Sequence, residues 1–151
     1  MTVTVQEQNE ITGRTKDMTT CKKRILVVDD DANLTSLLKT VIEADGYEVY
    51  AENKPSMAPS VARAFKPDLI VMDIVMPDKD GDQLAQELND DAEVGPVPVV
   101  YLSGLLNEKD VARFKELGET ALLKPVNICE LKKCIEERLG DRNSETERQS
   151  V

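Results

Sequence analysis

Three stretches of the chain are apolar without alternation: Ile25-Leu26-Val27-Val28, Leu69-Ile70-Val71-Met72 and Ala121-Leu122-Leu123. A fourth, Val97-Pro98-Val99-Val100-Tyr101-Leu102, is broken only by its proline. Short unbroken runs of this kind read as strands buried on both faces, as in a parallel sheet. Tyr47 to Ala51 alternates with polar residues instead and reads as a short peripheral strand. Between these runs the apolar period becomes helical. Leu34, Leu37, Leu38, Val41 and Ile42 recur at i, i+3, i+4, i+7 and i+8, and Gly46 stands where such a helix stops. Pro55 to Phe65 predicts a weaker helix carried by Met57, Val61 and Phe65, with Pro59 blurring its start. Asp82 to Asp91 turns Leu84 and Leu88 inward, and Asn107 to Leu117 puts Val111, Phe114 and Leu117 on one face before Gly118. The last helix, Asn127 to Leu139, carries Ile128, Leu131, Ile135 and Leu139.

Five strands alternating with five helices predict an α/β fold, a doubly wound five-stranded parallel sheet. Right-handed crossovers make 2-1-3-4-5 the expected strand order. Residues 1–22 are polar without a sustained period and read as a flexible N-terminal arm; residues 23–140 form the folded domain. Residues 141–151, after Gly140, read as a polar, flexible C-terminal tail. Met18-Thr19-Thr20-Cys21 has the look of a chain start, an expectation under which residues 1–17 are dispensable.

With 151 residues and 40% hydrophobic content, the chain can bury a core without staples. Its net charge of −10 argues against nucleic acid or an anionic membrane as the main partner. No apolar run approaches the roughly 20 residues that span a bilayer. Three scattered cysteines, Cys21, Cys129 and Cys134, fit reduced thiols in a cytoplasm, and the last two read as packing residues. There is no histidine, which excludes a histidine base, a histidine metal ligand and a phosphohistidine.

Candidate chemistry lies where the inner strands end. Strand one empties into Asp29-Asp30-Asp31, strand three into Asp73, strand four into Ser103 and strand five into Lys124. An isolated strand-end Asp is most often the N-cap of the next helix. In a parallel sheet, however, these ends meet along the edge where ligands bind. Clustered carboxylates repel one another unless a cation compensates, and oxygen ligands alone suit a hard ion such as Mg²⁺. A lysine and a hydroxyl opposite the acids could hold phosphoryl oxygens. Transfer of a phosphoryl group onto an aspartate uses all of these groups, with Asp73 on the middle strand as the acceptor. Asp31 reads as the acidic start of helix one, and Asp78 and Asp80 as turn residues, with Gly81 allowing an unusual backbone angle.

Val27-Val28-Asp29-Asp30-Asp31, Met72 to Gly81, Leu102-Ser103-Gly104 and Leu123-Lys124-Pro125 together resemble the signature segments of two-component response-regulator receiver domains, CheY-like and flavodoxin-like in fold. The resemblance covers residues 24–139 in order. It implies that Asp73 accepts a phosphoryl group from a sensor histidine kinase or phosphotransfer protein. Mg²⁺ would be bound by Asp30, Asp73 and the main-chain carbonyl of Val75, with Asp29 acting mainly through a metal water. Ser103 would follow the phosphoryl group, Lys124 would pair with it, and Pro125 would follow a cis bond. Such a receiver, standing alone, is a non-enzymatic switch that catalyses at most its own phosphorylation and dephosphorylation. It signals to a downstream output protein through the helix 4–strand 5–helix 5 face, with a phosphorylation-dependent dimer left open.

Two departures stand out. The family usually carries Tyr or Phe three residues before the lysine, where this chain has Ala121, so output is expected through the strand-four loop and helix four. Val75 and Leu105, two positions beyond acceptor and hydroxyl, are apolar and predict slow self-dephosphorylation. The competing readings are a phosphorylation-independent pseudo-receiver and, more weakly, a Mg²⁺-dependent phosphohydrolase. The phosphohydrolase lacks a general acid at Val75. A flavin site lacks the phosphate-cradling loop after strand one.

Overall fold

The structure, a computed structural model, describes residues 22–76, 80–116 and 119–150, with side chains through Leu139. Strands β1 (Arg24–Val28), β2 (Glu48–Glu52), β3 (Leu69–Asp73), β4 (Val99–Ser103) and β5 (Thr120–Leu123) pair in parallel in the order β2-β1-β3-β4-β5. That is the order expected from the sequence. The helices among the described residues are α1 (Ala32–Glu43), α2 (Ala58–Phe65), α3 (Gly81–Asp90), α4 (Glu108–Glu116) and α5 (Ile128–Ser150).

Because side chains alternate along a strand, the apolar runs feed two separate cores. Ile25, Val27, Leu69, Val71, Val100, Leu102 and Leu122 pack with Leu38 and Ile42 of α1 and with Leu131, Ile135 and Leu139 of α5. Their neighbours Leu26, Val28, Ile70, Met72, Val99, Tyr101 and Ala121 pack against α2 and α3, with Phe114 of α4 at the margin. A continuous run, rather than an alternating one, is what a sheet covered on both faces requires.

Several local expectations change. Leu37 is 51% exposed, and Thr35 is buried in its stead because its hydroxyl has partners described below. The weak helix begins as a 3₁₀ turn, Pro55–Met57, and α2 starts only at Ala58. Its buried residues are Ala58 and Ala62; Val61 and Phe65 are half-buried and Met57 is exposed. Strand β4 starts at Val99, since Pro98 has no N–H to give the ladder, although its carbonyl still accepts from Ile70. Helix α5 runs past Gly140, a residue that weakens a helix interior by only ~1 kcal/mol. Cys129 is exposed, so only Cys134 packs against the core. Most of the N-terminal arm, residues 77–79 with Asp78, and Leu117 and Gly118 lie outside the described residues, as do the side chains of the tail.

Candidate functional site at the carboxyl edge of the sheet

Strands β1, β3 and β5 deliver charge to one end of the sheet. Asp29, just past β1, is still tied to the ladder through its N–H to the Glu52 carbonyl at 3.2 Å and is fully buried. Asp30 is exposed. Asp31 caps α1, its carboxylate accepting from the N–H groups of Asn33 (3.0 Å) and Leu34 (3.2 Å), so it is occupied in the way the sequence suggested. Asp73 ends β3 at 5% exposure, between β1 and β4. One carboxylate oxygen from each of Asp29, Asp30 and Asp73 lies within 4.8 Å of those of the other two.

Lys124 reaches into this cluster from the end of β5. Its main-chain N–H donates to the Ser103 carbonyl at 2.9 Å, which fixes the loop to β4, and the peptide bond to Pro125 is cis. Its Nζ lies 2.9 Å from Asp29 Oδ2 and 3.2 Å from Asp73 Oδ2. The second Asp73 oxygen accepts from the Val75 N–H at 3.3 Å. Ser103 is buried at the end of β4, where its Oγ accepts from the Leu105 N–H at 3.0 Å.

The loop after β3 is shaped by Gly81, though for a different reason from the one expected. Its φ is not positive. Instead its N–H donates to the Ile74 carbonyl at 2.6 Å, and a Cβ there would stand 2.8 Å from Ile74 Cα. Only glycine lets the first turn of α3 approach the backbone this closely. Asp80 precedes α3 and pairs with Val75 across an antiparallel bridge.

One positioning residue escaped the sequence reading. The Asn53 Nδ2 donates to the Asp29 carbonyl at 2.9 Å and to Thr35 Oγ1 at 2.8 Å, tying the acidic edge to α1 from the end of β2. Asn53-Lys54-Pro55 carries an ordinary turn signature, which gives no hint of where the side chain points.

The electrostatics follow from packing these groups together. Burial raises the Asp73 carboxyl above its usual range, the Asp29 charge adds to this, and Lys124 and the Val75 N–H pull it partly back. Burial would lower the Lys124 ammonium, but the hydrogen bond and charge of Asp29, then those of Asp73, outweigh it and the net direction is upward. Two carboxylates, Asp29 and Asp73, share this one ammonium, and the exposed Asp30 lies beside them. Asp29 Oδ2 is buried and finds its compensation in the Lys124 ammonium 2.9 Å away. An oxygen-only donor set with negative charge left over fits a hard cation such as Mg²⁺.

A family model of the response regulator receiver domain matches residues 25–136. The chain belongs to this family. It is 32% identical over 120 residues to the polar-differentiation response regulator DivK of Brucella anthropi, covering 79% of this chain and 98% of that one. A CheY-like receiver domain protein from Methanospirillum hungatei superposes with a TM-score of 0.69 at 27% identity, covering 83% of this chain and 99% of the other. The Francisella response regulator 1452 receiver domain gives 0.67 at 27%, with 78% and 96% covered. Receiver domains are signalling regulators, generally non-enzymatic, that bind Mg²⁺ in an acidic pocket and interact with kinases, phosphotransfer proteins and output proteins. Among the described residues of this receiver, no helix is long and apolar enough to cross a membrane.

Proposed function

We infer that this receiver is a phosphorylation-controlled interaction switch, in which Asp73 accepts a phosphoryl group from a histidine kinase or phosphotransfer protein. The observation that carries this reading is Lys124 Nζ set between Asp29 and Asp73 within the acidic cluster. One Asp73 carboxylate oxygen attacks phosphorus, and the bond from phosphorus to the donor nitrogen breaks, leaving the donor's electron pair on nitrogen. Mg²⁺, held by Asp29, Asp30, Asp73 and the Val75 carbonyl, would supply charge neutralisation for the incoming oxygens. The Lys124 ammonium then trades its bond with Asp73 for one with the new phosphoryl oxygens. Ser103 Oγ, already engaged with the loop after β4, couples that loop to the phosphoryl group.

Output through α4 is supported by the packing around Ala121. This residue is buried with Tyr101 and Phe114, whose rings pack at 5.5 Å and link β4 to α4. The working domain is residues 23–140, between an N-terminal arm (residues 1–22) and a C-terminal tail (residues 141–151), and it operates in the cytoplasm. Val75 and Leu105 are 47% and 76% exposed. Apolar side chains at these two positions slow the approach of water and lengthen the lifetime of the acyl phosphate.

Phosphoramidate or acetyl phosphate with Mg²⁺, read by intact mass, tests the assignment. Wild type gains one phosphoryl group, whereas Asp73→Asn and chelator-treated protein gain none. Absence of labelling in wild type, under conditions that label another receiver, would replace this reading with a phosphorylation-independent interaction module.

A further inference from the structure

Strand β2 closes the sheet on one side, with β1 as its one neighbour among the described residues. The Glu48 N–H donates to the Lys23 carbonyl at 2.9 Å, and the Glu52 carbonyl accepts from the Asp29 N–H at 3.2 Å. Glu48, Tyr50 and Glu52 therefore turn their main-chain groups toward β1, and Val49 and Ala51, one step out of phase, turn theirs away from the sheet. Beside this edge, on the α2 face, lies a groove of about 380 Å³ lined by Tyr50, Ser60, Val61, Ala64 and Phe65. A single exposed apolar side chain is ordinary surface. Here, though, a 43% exposed Tyr50 packs its ring 5.8 Å from that of Phe65. The Phe65 ring is held in turn by the Arg24 guanidinium, 5.6 Å from its centroid and 2.8 Å from the Phe65 carbonyl. Outward main-chain groups beside an apolar groove are what an added strand needs: the backbone supplies the bonds and alternate side chains the fit.

Charge and chain length select the occupant. Pairing β2 with β2 of a second copy, antiparallel about Tyr50, would set Glu48 opposite Glu52 twice, and like charges directly opposite destabilise a strand pair. Thr2-Val3-Thr4-Val5-Gln6 carries no charged side chain, and Thr2 to Val5 are all β-branched, the type that suits a strand. Its alternation puts Val3 and Val5 on one face and Thr2 and Thr4 on the other. The arm joins β1 at the end of the sheet where β2 also begins, since Arg24 is in register with Glu48. Residues 7–21 can span up to about 50 Å, whereas a strand outside β2 would lie only about 10 Å from β1. A tether of this kind raises the local concentration to the order of millimolar, so a contact too weak between separate molecules can still form.

We propose that residues 2–6 of the N-terminal arm dock on the open edge of β2 as an antiparallel sixth strand, with Val3 and Val5 laid over the Tyr50–Phe65 groove. The antiparallel direction brings Gln6 out at the end of the sheet where Lys22 leads into β1. Residues 2–6 then have a structural role, against the expectation that residues 1–17 are dispensable. The contact is measured on unphosphorylated protein, so its outcome does not depend on the chemistry at Asp73.

The test is amide hydrogen exchange by NMR on the full chain, comparing wild type with the double substitution Val3→Asp and Val5→Asp, which leaves the folded domain untouched. The Val49 and Ala51 amides should exchange at least about tenfold more slowly in wild type, while those of the interior residues Leu26 and Ile70 stay the same in both. Nuclear Overhauser contacts from the Val3 and Val5 methyls to the Tyr50 and Phe65 rings should appear in wild type, and the protection should be unchanged by dilution. Equal exchange of Val49 and Ala51 in the two proteins, or no contact from Val3 and Val5 to either ring, would overturn the proposal. So would protection that fades on dilution together with a dimeric mass by light scattering, which would give the edge to a second copy of the chain.

Discussion

Helices α5 and α4 flank the same edge strand, β5, yet they are anchored very differently. Helix α5 buries Leu131, Ile135 and Leu139 completely or nearly so, and α1 beside it buries Leu38 and Ile42. Helix α4 buries no residue; Val111 and Phe114 are half-covered at best. The difference separates the part of the receiver that must hold still from the part that is free to respond. Asp29 and Lys124 are positioned from the rigid side, while the loop after Ser103 leads into the weakly held helix. Elements that move in switching are drawn from the low-stability end of a fold.

The comparison can be broken by mutation. Ile135→Ala should cost about 2–5 kcal/mol, the range for truncating a buried isoleucine, while Phe114→Ala should cost less than half of that. Urea midpoints with unchanged slopes would measure both, and equal costs would refute the distinction. Hydrogen exchange sharpens it further: α4 amides should exchange roughly ten- to a hundredfold faster than those in the first three turns of α5. Uniform protection across the two helices would count against a poised α4.

On the rigid side, Asn53→Ala leaves the Asp29 carbonyl and the Thr35 hydroxyl without their shared donor. A loss of about 1–3 kcal/mol and weaker Mg²⁺ binding, followed by calorimetry, are the expected outcome. A smaller effect of opposite sign is expected from Asp73→Asn without Mg²⁺. Because burial and Asp29 raise the Asp73 carboxyl, ionising it costs the fold stability, and the neutral amide should raise the melting temperature. Adding Mg²⁺ should stabilise wild type and narrow or reverse that gap.

The smallest effect lies at the surface. The Glu93 N–H and then Arg63, at 2.8 Å, hold the Asp91 carboxyl below its usual range. Its contribution is present above the ordinary carboxylate pKa and is lost as pH falls through the lowered one. Wild type and Asp91→Asn should therefore differ slightly in midpoint at neutral pH and converge in acid. A gap that persists in acid would assign the effect to packing instead.

Most of the architecture was legible because each inner strand is a continuous apolar run and each helix but α2 carries a clear stripe. The strand-end acids, Ser103 and Lys124 were legible for the same reason: once the order is 2-1-3-4-5, residues far apart in the chain must share one edge. Pattern alone failed where a polar group competes for the interior. Thr35 displaces Leu37 from the buried face because Asn53 satisfies its hydroxyl, a contact spanning two elements. Gly81 was read as a conformational need, whereas the need is for space against Ile74, which exists only once α3 is docked.

The sequence by itself determined the fold class, the strand order and the family, since these depend on periodicity and on motifs in fixed order. Only the tertiary structure decided which acid Lys124 pairs with, that Asn53 braces the edge, and that α4 is weakly anchored. Those features are distances between side chains on different elements, and periodicity along a chain carries no information about them.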